Sequence, residues 1–174
     1  ARAGSRGEIL AVEPDLWLVG LLRRSVEEQP DGSAPVRVLG VAAGDSVGVA
    51  EFCIAARGRA ANHLLGYGGS QTGGTRDKQF VVTVTLDWLM ERFRPPAVLK
   101  IDVEGAEELV LRGGRQILSQ AKPAVLIEVY EENAEAVGSL LREYGYKFYD
   151  AELPREQRRP LKRPAYNTIA IAVR

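Results

Sequence analysis

Short apolar runs alternate along this chain with amphipathic stretches, and that alternation constrains the fold more than any other feature. It specifies an α/β architecture with a mostly parallel sheet and helices on both faces. Glu8–Val12 reads as a strand, after which Asp15 caps a helix whose Leu18, Leu21, Leu22 and Val26 fall at helical spacing. Val36–Val41 is a second strand, followed by the small-residue loop Ala42-Ala43-Gly44-Asp45. Val47–Ala55 and Phe80–Thr85 are both extended, and between them Arg57–Gln79 is rich in glycine, with Gly66, Gly68, Gly69, Gly73 and Gly74. Such a connection predicts a wide hairpin with a mobile flap over one end of the sheet. A helix over Leu86–Phe93 stops at Pro95-Pro96, and a strand over Ala97–Val103 leads to a helix over Gly105–Arg112. Ala124–Val129 is another buried strand. Glu131–Tyr144 is the clearest helix, with Ala134, Val137, Leu140, Leu141 and Tyr144 inward and Gly145 ending it. Tyr146–Tyr149 and Thr168–Val173 complete the sheet, the last strand antiparallel.

The 174 residues, 45% of them hydrophobic, predict a single domain over 1–174. Lys plus Arg balances Asp plus Glu at 23 each, so no global field draws the chain to nucleic acid. Cys53 stands alone, which rules out an internal disulfide and a cysteine zinc cluster and points to a reducing cytoplasm. No apolar run approaches the roughly 20 residues that span a bilayer. Neither nucleic acid nor membrane is an expected partner. The basic tail Arg155, Arg158, Arg159, Lys162 and Arg163 reads as a solvated loop, or as a seat for an anionic nucleotide-linked sugar. Trp17, Trp88 and the tyrosines read as core.

The densest chemical signal is Lys100-Ile101-Asp102-Val103-Glu104-Gly105-Ala106-Glu107. While the chain stays extended, Lys100, Asp102 and Glu104 share one face and Ile101 and Val103 the other. Charges at the carboxyl end of an apolar strand are costly unless they serve a ligand, and ligands of open α/β sheets bind at that end. The plain alternative is that Asp102 caps the next helix and pairs with Lys100. Gly105 allows a tight turn and close approach of a ligand to the backbone.

This run, followed by Leu111-Arg112-Gly113-Gly114, closely resembles the signature of FkbM-type methyltransferases. Glu13-Pro14 after the first strand, Thr85-Leu86-Asp87, Pro123–Val129 and Asn167 match in order. The resemblance implies a class I, Rossmann-like methyltransferase fold, S-adenosylmethionine as cofactor, and O-methylation of a hydroxyl on a sugar or secondary metabolite. Alone, Glu13-Pro14 reads equally as a strand-to-helix turn or as an acid that accepts from ribose hydroxyls; the resemblance favours the ribose. Ala42 and Ala43 would then admit the adenine. Asp102 is the first candidate to hold or deprotonate the acceptor hydroxyl and also borders the cofactor, with Glu104 second and Lys100 orienting Asp102. Glu128 either faces the substrate or pairs with Lys100. His63, the lone histidine, is a solvated loop residue or a base that folds over a bound alcohol. No metal is assigned, although two carboxylates can hold a divalent ion.

A Gly-rich cofactor loop normally precedes the ribose acid by about 20 residues, and only 12 precede Glu13. The chain is therefore expected to be N-terminally incomplete, with residues 1–7 the end of a helix and the central first strand absent. Two rivals remain: a non-catalytic remnant or subunit of the same fold, and a nicotinamide-dependent oxidoreductase. A Tyr-x-x-x-Lys pair that would support the second is not found.

Overall fold

The computed structural model describes residues 7–69 and 72–173. The helix expected over 1–7 lies almost wholly outside them. Ten strands and four α-helices follow in the order β1 (Ile9–Val12), α1 (Leu16–Glu27), β2 (Val36–Leu39), β3 (Ala42–Ala43), β4 (Gly48–Ala55), β5 (His63–Leu64), β6 (Thr75–Val84), α2 (Leu86–Met90), β7 (Val98–Ile101), α3 (Glu107–Arg112), β8 (Ala124–Glu128), α4 (Ala134–Glu143), β9 (Tyr146–Asp150) and β10 (Asn167–Ala172).

The α/β alternation holds, but the single, mostly parallel sheet does not. Among the described residues the strands form three groups: β1-β2, β7-β8-β10-β9 and β3-β6-β4-β5. Three pairings are parallel (β1-β2, β7-β8, β3-β6) and four antiparallel (β10-β8, β10-β9, β4-β5, β4-β6). The cause is the long hairpin. β4 and β6 pair from Gly48↔Thr83 to Ala55↔Thr75, and a bulge at Ile54/Ala55 twists the arm away. β10 is antiparallel to both neighbours, as the apolar pattern near the end predicts.

Local signals act as expected at several ends. Asp15 caps α1 by accepting from the Trp17 N–H, and Thr85 caps α2 through the Trp88 N–H. Asp87 accepts from Gln116 and Ile117 N–H groups, so one carboxylate starts the π-helical turn 117–121. Gly145 takes φ +80° after α4, the left-handed stop that favours glycine.

Two apolar clusters hold these pieces. The larger joins β7, β8, β9 and β10 to α2, α3 and α4 through Ile101, Leu111, Leu118, Val125, Ile127, Leu141 and Phe148, with Leu10, Val12 and Leu39 of β1 and β2 against it. Each such side chain contributes about 1.5–3 kcal/mol when fully buried. The smaller cluster packs Ala42, Phe52, Ile54, Leu64, Val81 and Ala106, and Val103 touches both. Trp17 is not core: it is 56% exposed, with the Arg59 guanidinium 4.7 Å over its ring. α1 turns in Val19 instead, one position off the expected face. No helix among the described residues is long and apolar enough to cross a membrane.

Candidate active site

The strand Val98–Ile101 sits beside β8 in parallel register, Lys100 opposite Leu126 and Ile101 opposite Ile127. Continuing that register sets Glu128 across from Asp102, with Lys100 between them on the same face. Lys100 Nζ lies 2.7 Å from Asp102 Oδ2 and 3.5 Å from Glu128 Oε1. The hydrogen bond to Asp102 is the main cause that raises the Lys100 ammonium above its usual 10.5. Of the two readings of Glu128, the pairing with Lys100 is the one seen, at the carboxyl end of β8. All three side chains are well solvated.

Glu104 leaves that face. The strand ends at Ile101, and Glu104 adopts the left-handed conformation at φ 51°, so the expected row of three charges is broken after Asp102. For a non-glycine residue that conformation costs on the order of 1–2 kcal/mol. Two contacts hold it. Tyr130 Oη donates to Glu104 Oε2 at 2.5 Å, and the Gly105 N–H next in the turn donates to Glu107 Oε1 at 2.7 Å. Glu107 is 1% exposed, and its second oxygen accepts from Asn133 Nδ2 at 3.0 Å. The same amide reaches the Gly105 carbonyl at 3.1 Å, which ties the turn to the start of α4. Burial raises the Glu107 carboxyl above its usual 4.5, partly opposed by those donors. Desolvation first, and then the Glu104 hydrogen bond, raise the Tyr130 phenol well above its usual 10.

These residues border a cavity of about 510 Å³ lined by Asp45, Tyr67, Gly68, Gly105, Arg112, Tyr130 and Asn133 among others. Asp45 follows β3, Gly105 follows β7 and Tyr130 follows β8, so three strand carboxyl ends open onto one space. The Gly-rich segment closes it: a Cβ on Gly105 would lie 2.9 Å from the Gly68 backbone nitrogen, so both chains approach as bare backbone. The described residues of that segment carry regular structure that the sequence reading did not anticipate. It holds a 3₁₀ turn over Arg59–Ala61 and the two-residue strand β5.

His63 is therefore not a solvated loop residue. It is 7% exposed, its Nδ1 is 3.0 Å from the Ala61 carbonyl, and its ring packs beneath Gly68. It supports the cavity's cover without lining the cavity. Ala42 and Ala43 form β3, paired with Thr83 and Val84, where a loop was expected; Ala42 is packed in the smaller core.

Glu13 and Pro14 make the turn out of β1. Glu13 Oε1 accepts from the Asp15 N–H at 2.7 Å, while no protein donor reaches Oε2 among the described residues. Burial raises its carboxyl above 4.5. Asp15, 1% exposed, joins this turn to the Gly-rich segment: it pairs with Arg59 and accepts from Asn62 Nδ2 at 2.8 Å. Asp15, Glu107, Tyr130 and Asn133 escaped the sequence reading as site residues. Tyr130 was legible, since it lies two residues beyond Glu128, just past the end of β8. Glu107 and Asn133 were not, because their roles require α3 and α4 to meet. Among the described residues no group of three or more His, Cys, Asp or Glu side chains is placed to hold a metal ion.

The family model described as Methyltransferase FkbM domain matches residues 1–148. The chain belongs to the FkbM methyltransferase family. The fold agrees. A crystal structure of methyltransferase FkbM from Methylobacillus flagellatus KT superposes with a TM-score of 0.55 at 16% identity, a likeness of fold. The match covers 94% of this chain and 36% of that one, so the present FkbM chain spans about a third of its relative's length. No curated protein matches it significantly. In this FkbM domain Gly105 is the residue of the Lys100–Glu107 run that lines the cavity; Glu104 and Glu107 bond to the lining residues Tyr130 and Asn133, and the exposed Lys100–Asp102 pair lies outside the lining.

Proposed function

We propose that this chain carries the acceptor-binding part of an S-adenosylmethionine-dependent O-methyltransferase that acts on a neutral, polyhydroxylated sugar or secondary metabolite. The observation that carries the reading is the cavity at the carboxyl ends of β3, β7 and β8, the end where open α/β sheets bind ligands. Its wall mixes carboxylates, an arginine, an amide, two phenols and bare glycine backbone, which suits several hydroxyl groups at once. Asp45, Glu108 and Glu132 line it against Arg112, and Arg112 is already bound to Glu108. That balance disfavours an anionic acceptor. The basic tail turns elsewhere: Arg158 donates to the Leu153 and Ala151 carbonyls and Arg163 pairs with Glu131.

The residues at β1 fit the cofactor's ribose. Glu13 is half-buried, one oxygen fixes its own turn, and the other is open to accept a hydroxyl. Asp102 follows β7, at the same end of the sheet, and is paired with Lys100. The cofactor supplies an already electrophilic methyl group, so the protein's work is to align the acceptor oxygen and take its proton. Asp102 orients the hydroxyl and Lys100 holds Asp102.

Titration of the intact protein with S-adenosylmethionine and, separately, with NADH tests the reading. S-adenosylmethionine should bind and NADH should not, and Glu13→Ala should weaken binding by about 1.5–3 kcal/mol, the value of a hydrogen bond to a charged group. Preference for NADH would move the chain to the oxidoreductases. Binding of neither would leave a non-catalytic member of the family.

A further inference from the structure

Of the carboxylates in the Lys100–Glu107 run, Glu104 is the one bonded to a phenol of the cavity wall, whereas Glu107 holds the wall's Gly105 and Asn133 amides. Asp102 is neutralised by Lys100 at 2.7 Å and is exposed. Glu104 is half-buried, has no salt bridge among the described residues, and is bonded to a phenol that lines the cavity. A carboxylate accepting from a phenol leaves the phenol oxygen's lone pairs free to accept from a third group, and makes that oxygen a better acceptor. Tyr130 lines the cavity, so a hydroxyl bound there is placed to be that third group.

We propose that Tyr130 takes up the acceptor's hydroxyl proton while it passes its own proton to Glu104, and that Glu107 is the positioning residue that fixes this pair. The inference rests on the methyltransferase reading above. In the step, the acceptor O–H proton moves to Tyr130 Oη and the Tyr130 proton moves to Glu104 Oε2. The acceptor oxygen's electron pair forms the new O–C bond, the C–S bond of the sulfonium donor breaks, and its pair stays on sulfur. Charge balances: Glu104 becomes neutral, Tyr130 is neutral before and after, and the sulfonium charge is discharged. The raised phenol pKa agrees with this concerted passage, because free phenolate is never required. Glu107 serves through backbone. It accepts from Gly105 N–H and from Asn133, whose amide also grips the Gly105 carbonyl, so the left-handed turn that aims Glu104 at Tyr130 cannot relax.

The resting pair is read without any ligand by ultraviolet resonance Raman at neutral pH. The tyrosine doublet reports whether a phenol donates, and the difference between wild type and Tyr130→Phe isolates Tyr130. We expect a strong-donor doublet in wild type, shifted toward a weaker donor in Glu104→Gln, whose neutral amide is a poorer acceptor, and weakened in Glu107→Gln. Should Glu107→Gln fail to fold, Asn133→Ala breaks the same clamp from α4 and should weaken the doublet likewise. An unbonded Tyr130 doublet in wild type, or one unmoved by Glu104→Gln, overturns the pair; one unmoved by both clamp variants overturns the role of Glu107. Methyl transfer from S-adenosylmethionine to a panel of neutral sugars and polyols then reads the chemistry. Tyr130→Phe should lower kcat on the order of 10²–10⁴-fold with KM little changed. Full turnover in Tyr130→Phe overturns the relay. Absence of transfer by wild type overturns the methyltransferase reading and the proton passage with it, while the Raman arm still decides whether the pair exists.

Discussion

Two sets of carboxylates flank the end of β7, and they live in opposite environments. Asp102 and Glu128 share Lys100 at the surface, the Asp102 side chain 40% exposed and Lys100 54%. Glu107, five residues beyond Asp102, is 1% exposed and has only amide partners, Gly105 N–H and Asn133. Asp15 is a second buried carboxylate, bound by Arg59, Asn62 and the Trp17 N–H. The difference teaches that charge density along the chain marks where a site opens, whereas buried single carboxylates set its shape. A solvated ion pair contributes little to stability, but a buried acceptor leaves unsatisfied donors behind when it is removed.

The largest effect should come from the buried set. Asp15→Ala and Glu107→Ala are each expected to cost about 3 kcal/mol, because buried donors lose their acceptor. Denaturant unfolding measures it, and a loss under 1 kcal/mol would erase the contrast. Next comes the turn itself. Gly105 has φ +102° and lies against Gly68, so Gly105→Ala should cost about 1–2 kcal/mol for the left-handed backbone alone, and should raise proteolysis within the Gly-rich segment. Wild-type cleavage rates in that variant would mean the two chains do not brace each other.

A smaller effect is pH-dependent. Burial raises Glu107 above 4.5 in the folded state, so its unfolded form ionises first as pH rises. The group's contribution is therefore fully present below about pH 4.5 and declines as pH climbs through the raised folded value. Glu107→Gln should flatten that decline, measured as the change in unfolding free energy from pH 4 upward. An unchanged slope would assign the effect elsewhere, with Glu13, raised in the same direction, as the alternative source. The smallest effect belongs to the exposed pair. Lys100→Met should alter stability by no more than about 1 kcal/mol, since both partners are solvated. A loss of 3 kcal/mol there would make it a structural pair.

Local chemistry was legible in the sequence. Periodicity placed the strands and helices apart from the two-residue β3 and β5, Asp15 and Thr85 capped the helices they precede, and Lys100 met Asp102 and Glu128 through strand parity and the parallel register of β7 and β8, one of the two readings the sequence left open for Glu128. The family itself was readable from the run around Asp102, and the match over residues 1–148 agrees. Tertiary structure decided the rest. His63 became a buried support where a free loop residue was expected, because the Gly-rich segment folds back on β4 and β5 pairs Cys53 with His63. Glu104 turned from the face of Lys100 and Asp102 to Tyr130 because a left-handed residue ends the strand's alternation, and that conformation persists only where Glu107 and Asn133, from two helices, hold the neighbouring glycine. A sequence specifies what lies within a few residues of itself through backbone geometry; which distant donor meets a buried carboxylate is fixed only when the helices pack.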